Sequence, residues 1–105
     1  LVLKDAMKNM VLWDVYEIYS SNVKLHGVKC RRKIRNFGVR NNIDVIPENA
    51  LDKENVVRFA VISETNIDKL LDFIHEQFSD VNIENIAREI KNPVLSKWKV
   101  NDGND

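Results

Sequence analysis

Between residues 57 and 78 the hydrophobic period changes from two to nearly four, which restricts this chain to an architecture that stacks helix on sheet. Val57, Phe59 and Val61 face one side of a strand, with Arg58 among the residues on the other. Ile67, Leu70, Leu71, Ile74 and Phe78 then recur at core-facing helical spacings, with Thr65 as the predicted N-cap and Asp68 at the third helical position.

The remaining patterns extend this pair. Val11, Trp13 and Val15 alternate with Leu12, Asp14 and Tyr16, so residues 10 to 20 read as a first strand that Ser20-Ser21-Asn22 breaks. Apolar residues on both of its faces suggest a central position. Cys30, Ile34 and Phe37 share one helical stripe, predicting a short helix over about 27 to 37 with Gly38 as its stop. A start as early as Asn22, capped by Ser21, fits the same stripe. Val39, Asn41, Ile43 and Val45 predict a second strand ended by Pro47, and Glu48 to Asn55 reads as a loop. Val81 and Ile83 share one parity while Ile86 and Ile90 share the other, so the last strand carries a bulge or begins after Ile83. Asn92-Pro93 marks its predicted end, and Trp98 is expected to pack the tail back onto the domain.

The order strand, helix, strand, strand, helix, strand predicts an α+β, ferredoxin-like βαββαβ sandwich, a four-stranded antiparallel sheet with both helices on one face. The other face is expected to meet solvent or a partner. Residues 10–91 form the predicted domain, 1–9 an N-terminal extension and 92–105 a polar C-terminal tail. The chain does not open with Met, so it reads as an excised part of a longer polypeptide.

With 105 residues, 44% of them hydrophobic, the chain is long enough to bury a core without staples. Sixteen basic residues balance sixteen acidic ones, which argues against a nucleic-acid coat or a polybasic membrane binder. No apolar run approaches the ~18 residues of a membrane helix. A single cysteine, Cys30, precludes an intramolecular disulfide and predicts a reducing, cytoplasmic setting. Cys30, His26 and His75 do not form a zinc spacing, and no cofactor is implied. The charges are segregated nonetheless. Lys24, Lys29, Arg31, Arg32, Lys33, Arg35 and Arg40 occur without one acid among them, whereas residues 44 to 90 hold eleven acids and four basic residues.

That basic run opens with Lys24-Leu25-His26-Gly27-Val28-Lys29-Cys30-Arg31, a glycine-containing turn leading into a helix. Backbone N–H groups at a helix start and a guanidinium fork can converge on one phosphate or carboxylate. The turn resembles the signature of acylphosphatases, small ferredoxin-like hydrolases of carboxyl-phosphate bonds, roughly G-x-V-Q-G-V-x-F-R. Leu25 stands for its Val, His26 for its Gln, and Gly27, Val28 and Arg31 are in place. Phe37-Gly38-Val39 is similar to the Leu-Gly-Leu that closes the family's first helix. The resemblance implies that His26, Gly27, Val28, Lys29, Cys30 and Arg31 hold the anion, with Arg31 as bidentate anchor and, if hydrolysis survives, its catalytic residue. The family's first glycine is missing, since Asn22 and Val23 stand there, and Cys30 replaces its aromatic residue. Val45 occupies the position of its water-orienting asparagine, and a valine cannot orient water. Asn41 and Asn42 are the nearest substitutes, and neither falls beside Val45 on the same strand face. The resemblance therefore implies an anion-holding turn with hydrolysis lost or weak.

A second resemblance is to ACT-type regulatory domains, carried by the same element order and by Val56 to Val61 followed by the Ile67 to Phe78 helix. It implies a non-catalytic module for a small carboxylate ligand or a partner chain. RNA-recognition domains share the topology but need aromatic residues on two central strands, and Phe59 alone does not supply them. Among single residues, Cys30 reads as a buried, inert thiol on the Ile34 and Phe37 stripe, although Lys29 and Arg31 would favour a thiolate. His26 and His75 read as surface histidines rather than pH switches, and the intervening Pro47 gives no reason for Asp44 and Glu48 to converge.

Overall fold

A computed structural model describes residues 11–27 and 29–91. The predicted tail contacts of Asn92, Pro93 and Trp98, and the extension at 1–9, lie outside them. Four strands, β1 (Trp13–Tyr19), β2 (Val45–Asn49), β3 (Val56–Ile62) and β4 (Asn82–Ile90), form one sheet in the order β2-β3-β1-β4. Every neighbouring pair is antiparallel. Helix α1 (Cys30–Asn41) connects β1 to β2, and α2 (Asp68–Gln77) connects β3 to β4. This is the expected α+β, ferredoxin-like arrangement. No helix among the described residues is long and apolar enough to cross a membrane.

The core lies between the sheet and the helices. Ile18, Val57, Phe59 and Val61 from the central strands meet Ile34 and Phe37 of α1 and Leu70 and Ile74 of α2, all buried, with Leu25 sealing one end. Each fully buried aliphatic side chain stabilises the fold by about 1.5–3 kcal/mol. Phe37 stacks on Phe73 with ring centroids 4.3 Å apart, joining the helices, and Tyr16 stacks on Phe59 at 5.1 Å across the strands. Thr65 does not cap α2. Its own N–H donates to the Ile62 carbonyl in a turn, and the helix begins at Asp68, whose N–H is taken by the Asn66 side chain.

The predicted irregularity of β4 is present. Adjacent residues Val15 and Tyr16 pair with Ala87 and Asn85, leaving Ile86 as the extra residue and reversing the parity of the strand. The Asn85 amide donates to the Val15 and Ala87 carbonyls, both at 3.0 Å, so the carbonyls at the bulge keep partners.

The segment between α1 and β2 departs from expectation. Gly38 does not stop α1 but lies within it, buried, and the left-handed residue that ends the helix is Asn42, with φ 56°. A Cβ on Gly38 would lie 2.5 Å from Val45 Cγ1 and 2.7 Å from the Ile43 carbonyl oxygen. The glycine is thus required by close packing of helix on strand and not by a positive φ. Val39 and Asn41 are helical, so the second strand starts only at Val45 and continues through Pro47. β2 is an edge strand, where proline is tolerated. The N–H of Ala50 donates to Val56 at 2.8 Å, and the register pairs Glu48 with Arg58 and Ile46 with Ala60. By the alternation of an antiparallel ladder, the main-chain groups of Val45, Pro47 and Asn49 point away from β3, and the missing N–H of Pro47 falls on the outer side.

The sheet face opposite the helices is not simply open. Val15 and Ala60 are fully buried there, and three charged residues, Glu17, Glu48 and Arg58, are buried beside them. Glu17 and Arg58 are cross-strand partners, with Nε donating to Oε2 at 2.8 Å. The turn between β2 and β3 folds over them: Asp52 receives both terminal nitrogens of Arg58, at 2.6 and 2.9 Å, and Lys53 reaches Glu17 at 3.1 Å. A guanidinium carries five N–H donors, and burial is affordable only with acceptors around it.

Candidate functional site: a basic cradle at the start of α1

The chain leaves β1 through a turn that side chains fasten on two sides. Ser20 Oγ accepts the N–H groups of Asn22 and Val23, both at 3.0 Å, and donates to the Asp80 carbonyl at 2.6 Å. From the β2–β3 turn, Asn55 uses its whole carboxamide: the oxygen accepts the Leu25 N–H at 2.7 Å, and the nitrogen donates to the Ser20 and Val23 carbonyls. Leu25, buried in the core, fixes the turn from below.

Beyond Leu25 the backbone bends sharply. Gly27 has φ 79° and Lys29 φ 64°, after which α1 begins at Cys30. A left-handed residue followed by a helical one turns successive N–H groups toward one point, the concave nest that binds anions. Among the described residues the first turn of α1 has no side-chain cap and no acidic residue, so no internal carboxylate meets the positive end of its dipole.

What surrounds this helix start is basic. A concavity of about 380 Å³ is lined by Gly27, Lys29, Arg31, Arg32 and Arg35, with Asn49 at the end of β2 contributing an amide. Among the described residues, none of the seven cations between Lys24 and Arg40 forms an ion pair; Lys33 instead lies over the Phe78 ring, 5.3 Å from its centroid. The contrast with Arg58, buried among carboxylates, is sharp: one guanidinium is consumed by the fold, and those of α1 form no ion pair among the described residues.

The residues singled out in the sequence divide among several places. Gly27, Lys29, Cys30 and Arg31 line the cradle, while Val28 is outside the described residues. His26 does not line it. The ring donates from Nε2 to the Val56 carbonyl at 2.6 Å and borders a neighbouring concavity with Asn22, Lys24 and Glu54. Cys30 is buried, and burial pushes its thiol up to about 11 against the opposing pull of Lys33 and Arg31. Its side chain is therefore a protonated core group, as its stripe suggested. His75 is exposed near the end of α2, and Glu48 is buried on the far side of the sheet, whereas Asp44 is exposed.

Val45 packs against Gly38 and the core, away from the cradle. Asn41 is helical and donates to the Phe37 carbonyl at 2.9 Å, and Asn42 caps the helix. The asparagine that does line the cradle is Asn49, two strand repeats beyond Val45 on the same face of β2. In the sequence Asn49 is hidden because Pro47 reads as the end of the strand. The matching parity of Val45, Pro47 and Asn49 was the available signal.

Comparison of the chain with protein-family models, with curated proteins and with solved structures finds no match.

Proposed function

We propose that this domain binds an anion, a phosphate or carboxylate group of a small ligand, in the cradle formed by the start of α1, on a fold of acylphosphatase type. One observation carries the reading. The uncapped helix start and the left-handed bend at Lys29 open into a concavity where Lys29, Arg31, Arg32 and Arg35 converge without an acid. Four like charges around the positive end of a helix raise the local positive potential, which an arriving anion lowers. Arg31, on the first turn, offers the planar fork that grips two oxygens of a phosphate or carboxylate, while Lys29 and Arg32 neutralise the remaining charge.

Titration calorimetry with inorganic phosphate at low ionic strength tests this. Binding that Arg31→Ala weakens tenfold or more is the expected result, since a charge-assisted hydrogen bond is worth about 1.5–3 kcal/mol. Equal affinity in the two proteins would reject the assignment of Arg31.

Asn49 favours a second reading, in which the site also hydrolyses acyl phosphates. An amide facing a bound phosphoryl group can orient a water for in-line attack while Arg31 and the helix amides take up the developing charge. On this reading benzoyl phosphate is hydrolysed and both Arg31→Ala and Asn49→Ala abolish turnover. Phosphate binding without turnover leaves the domain as a non-catalytic binding module, the role that the ACT resemblance also implied.

A further inference from the structure

Arg35 borders two recesses, of which the cradle is the first. The same residue lines a second concavity of about 450 Å³, which continues along α1 past Gly38, Val39 and Asn42 and is bordered by Ile43, Asp44 and Val45 at the start of β2. α1 and β2 are joined by a tight turn, with the Ile43 N–H on the Gly38 carbonyl at 2.9 Å. The two recesses therefore lie end to end beside the same helix and edge strand. From Arg31 to Asn42 the helix advances ~16 Å.

Their linings differ in kind. The first is basic and contains no acid. The second mixes exposed aliphatic surface at Val39 with the Asn42 amide, and Asp44 is the acid among its lining residues. A bare phosphate has the bulk of a few water molecules, each ~30 Å³, and fills only part of the first recess. A carboxylate beyond Arg35 repels a second anionic group and accepts hydrogen bonds from hydroxyl or amino groups.

Resting on the anion-binding reading above, we infer that the ligand is a phosphate monoester whose phosphoryl group sits in the cradle and whose neutral or cationic body, bearing hydroxyl or amino groups, extends along α1 to Asp44. Arg35 stands at the junction, where the ester oxygen passes. Recesses of a few hundred Å³ are of the size that small organic ligands occupy. The body supplies affinity and selectivity that the phosphoryl group alone does not.

The test compares inorganic phosphate and methyl phosphate with adenosine 5′-monophosphate, glucose 6-phosphate and phosphoethanolamine, using the full chain and titration calorimetry. At least one of the three larger esters is expected to bind tenfold or more tightly than methyl phosphate. Asp44→Ala is expected to weaken that ester about fivefold or more while leaving inorganic phosphate unchanged or slightly tighter. Asp44 is exposed and forms no ion pair among the described residues, so its loss spares the fold. If every ester binds like methyl phosphate, or Asp44→Ala changes none of them, the extended site is refuted while Arg31-dependent phosphate binding stands. If inorganic phosphate itself does not bind, the anion-binding reading falls and this inference with it.

Discussion

The Asn55 side chain accepts the Leu25 N–H at 2.7 Å, 30 residues away in the chain. Through this bond the turn between β2 and β3 holds the turn that carries the cradle. Asn55 is itself left-handed, with φ 56°, a conformation that asparagine tolerates and alanine resists. Asn55→Ala is expected to lower stability by about 2–4 kcal/mol in urea unfolding, from three lost bonds and the backbone strain. Asn55→Gly, which removes the bonds but relieves the strain, is expected to cost about 1 kcal/mol less. Both should weaken phosphate binding at temperatures where the protein remains folded, and wild-type affinity in Asn55→Gly would show that the bonds do not position the cradle.

Gly38→Ala sets two effects against each other. Alanine is the better helix former by about 1 kcal/mol. The new methyl, however, would sit 2.5 Å from Val45 Cγ1 and 2.7 Å from a carbonyl oxygen of the following turn, which backbone connectivity holds in place. The clash is expected to win, with a net loss of about 1–3 kcal/mol by thermal or urea unfolding. A stabilised variant would mean that α1 slides freely on β2.

Arg58 is the most deeply buried charge described, with 1% of its surface exposed. Arg58→Met should cost about 3 kcal/mol because it strips the buried Glu17 carboxylate of its closest partner. The double variant Arg58→Met with Glu17→Leu is expected to recover only part of that loss, because Asp52 still loses both of its Arg58 hydrogen bonds and buried Glu48 its cross-strand neighbour. A double variant no more stable than Arg58→Met alone would show that the pair does more than satisfy itself. The neighbouring contact between Arg58 and Asp52 has a pH signature. Hydrogen bonding from Arg58 holds the Asp52 carboxyl below its ordinary value, so its contribution is present above the unfolded-state value and is lost as pH falls through the lowered, folded one. Urea midpoints should drop on acidification below the usual carboxylate range, and less steeply in Asp52→Asn.

Cys30 makes the opposite prediction at alkaline pH. Its thiol is raised to about 11 by burial, so the folded state holds its proton where the unfolded chain has lost it. The stabilisation is complete below the ordinary thiol value near ~8.5 and declines as pH rises toward the folded one. Stability should fall across that window, with a shallower slope in Cys30→Ser. At pH 8 iodoacetamide should label Cys30 at least about a hundredfold more slowly than free cysteine. Labelling at the free-thiol rate would place the side chain outside the core.

β3, α2 and the parity change of β4 were legible because each is written in the spacing of its own apolar residues. Val57, Phe59 and Val61 alternate, Ile67 to Phe78 recurs at helical intervals, and the shift between Ile83 and Ile86 has no reading other than an added residue or a late start. The stretch from Phe37 to Asn49 was not legible, because its residues serve two meanings. Gly38 fits a helix stop as well as a helix interior that touches a strand, and only the position of Val45 decides between them. Val39 and Asn41 continue the odd-numbered alternation of Ile43 and Val45 by coincidence, since their side chains belong to the last turn of α1. Pro47 suits a strand end and an outer edge alike, and its place at the edge depends on sheet order, a long-range property. Asn49 was lost with it. For the cradle itself, local sequence carried the basic side chains and Gly27, but the bend at Lys29 and the turning away of His26 toward Val56 required the fold.

Pro47 also limits what the groove beside α1 can hold. An extended polypeptide laid along β2 would need hydrogen bonds from its outward main chain, and at the middle of that five-residue strand there is no N–H to give. A strand paired there would lose the central of the three outward positions, keeping only the N–H groups of Val45 and Asn49, so pairing at this border is weakened. A single missing N–H at the centre of a short edge strand thus works against sheet-to-sheet fusion between neighbouring copies of the domain.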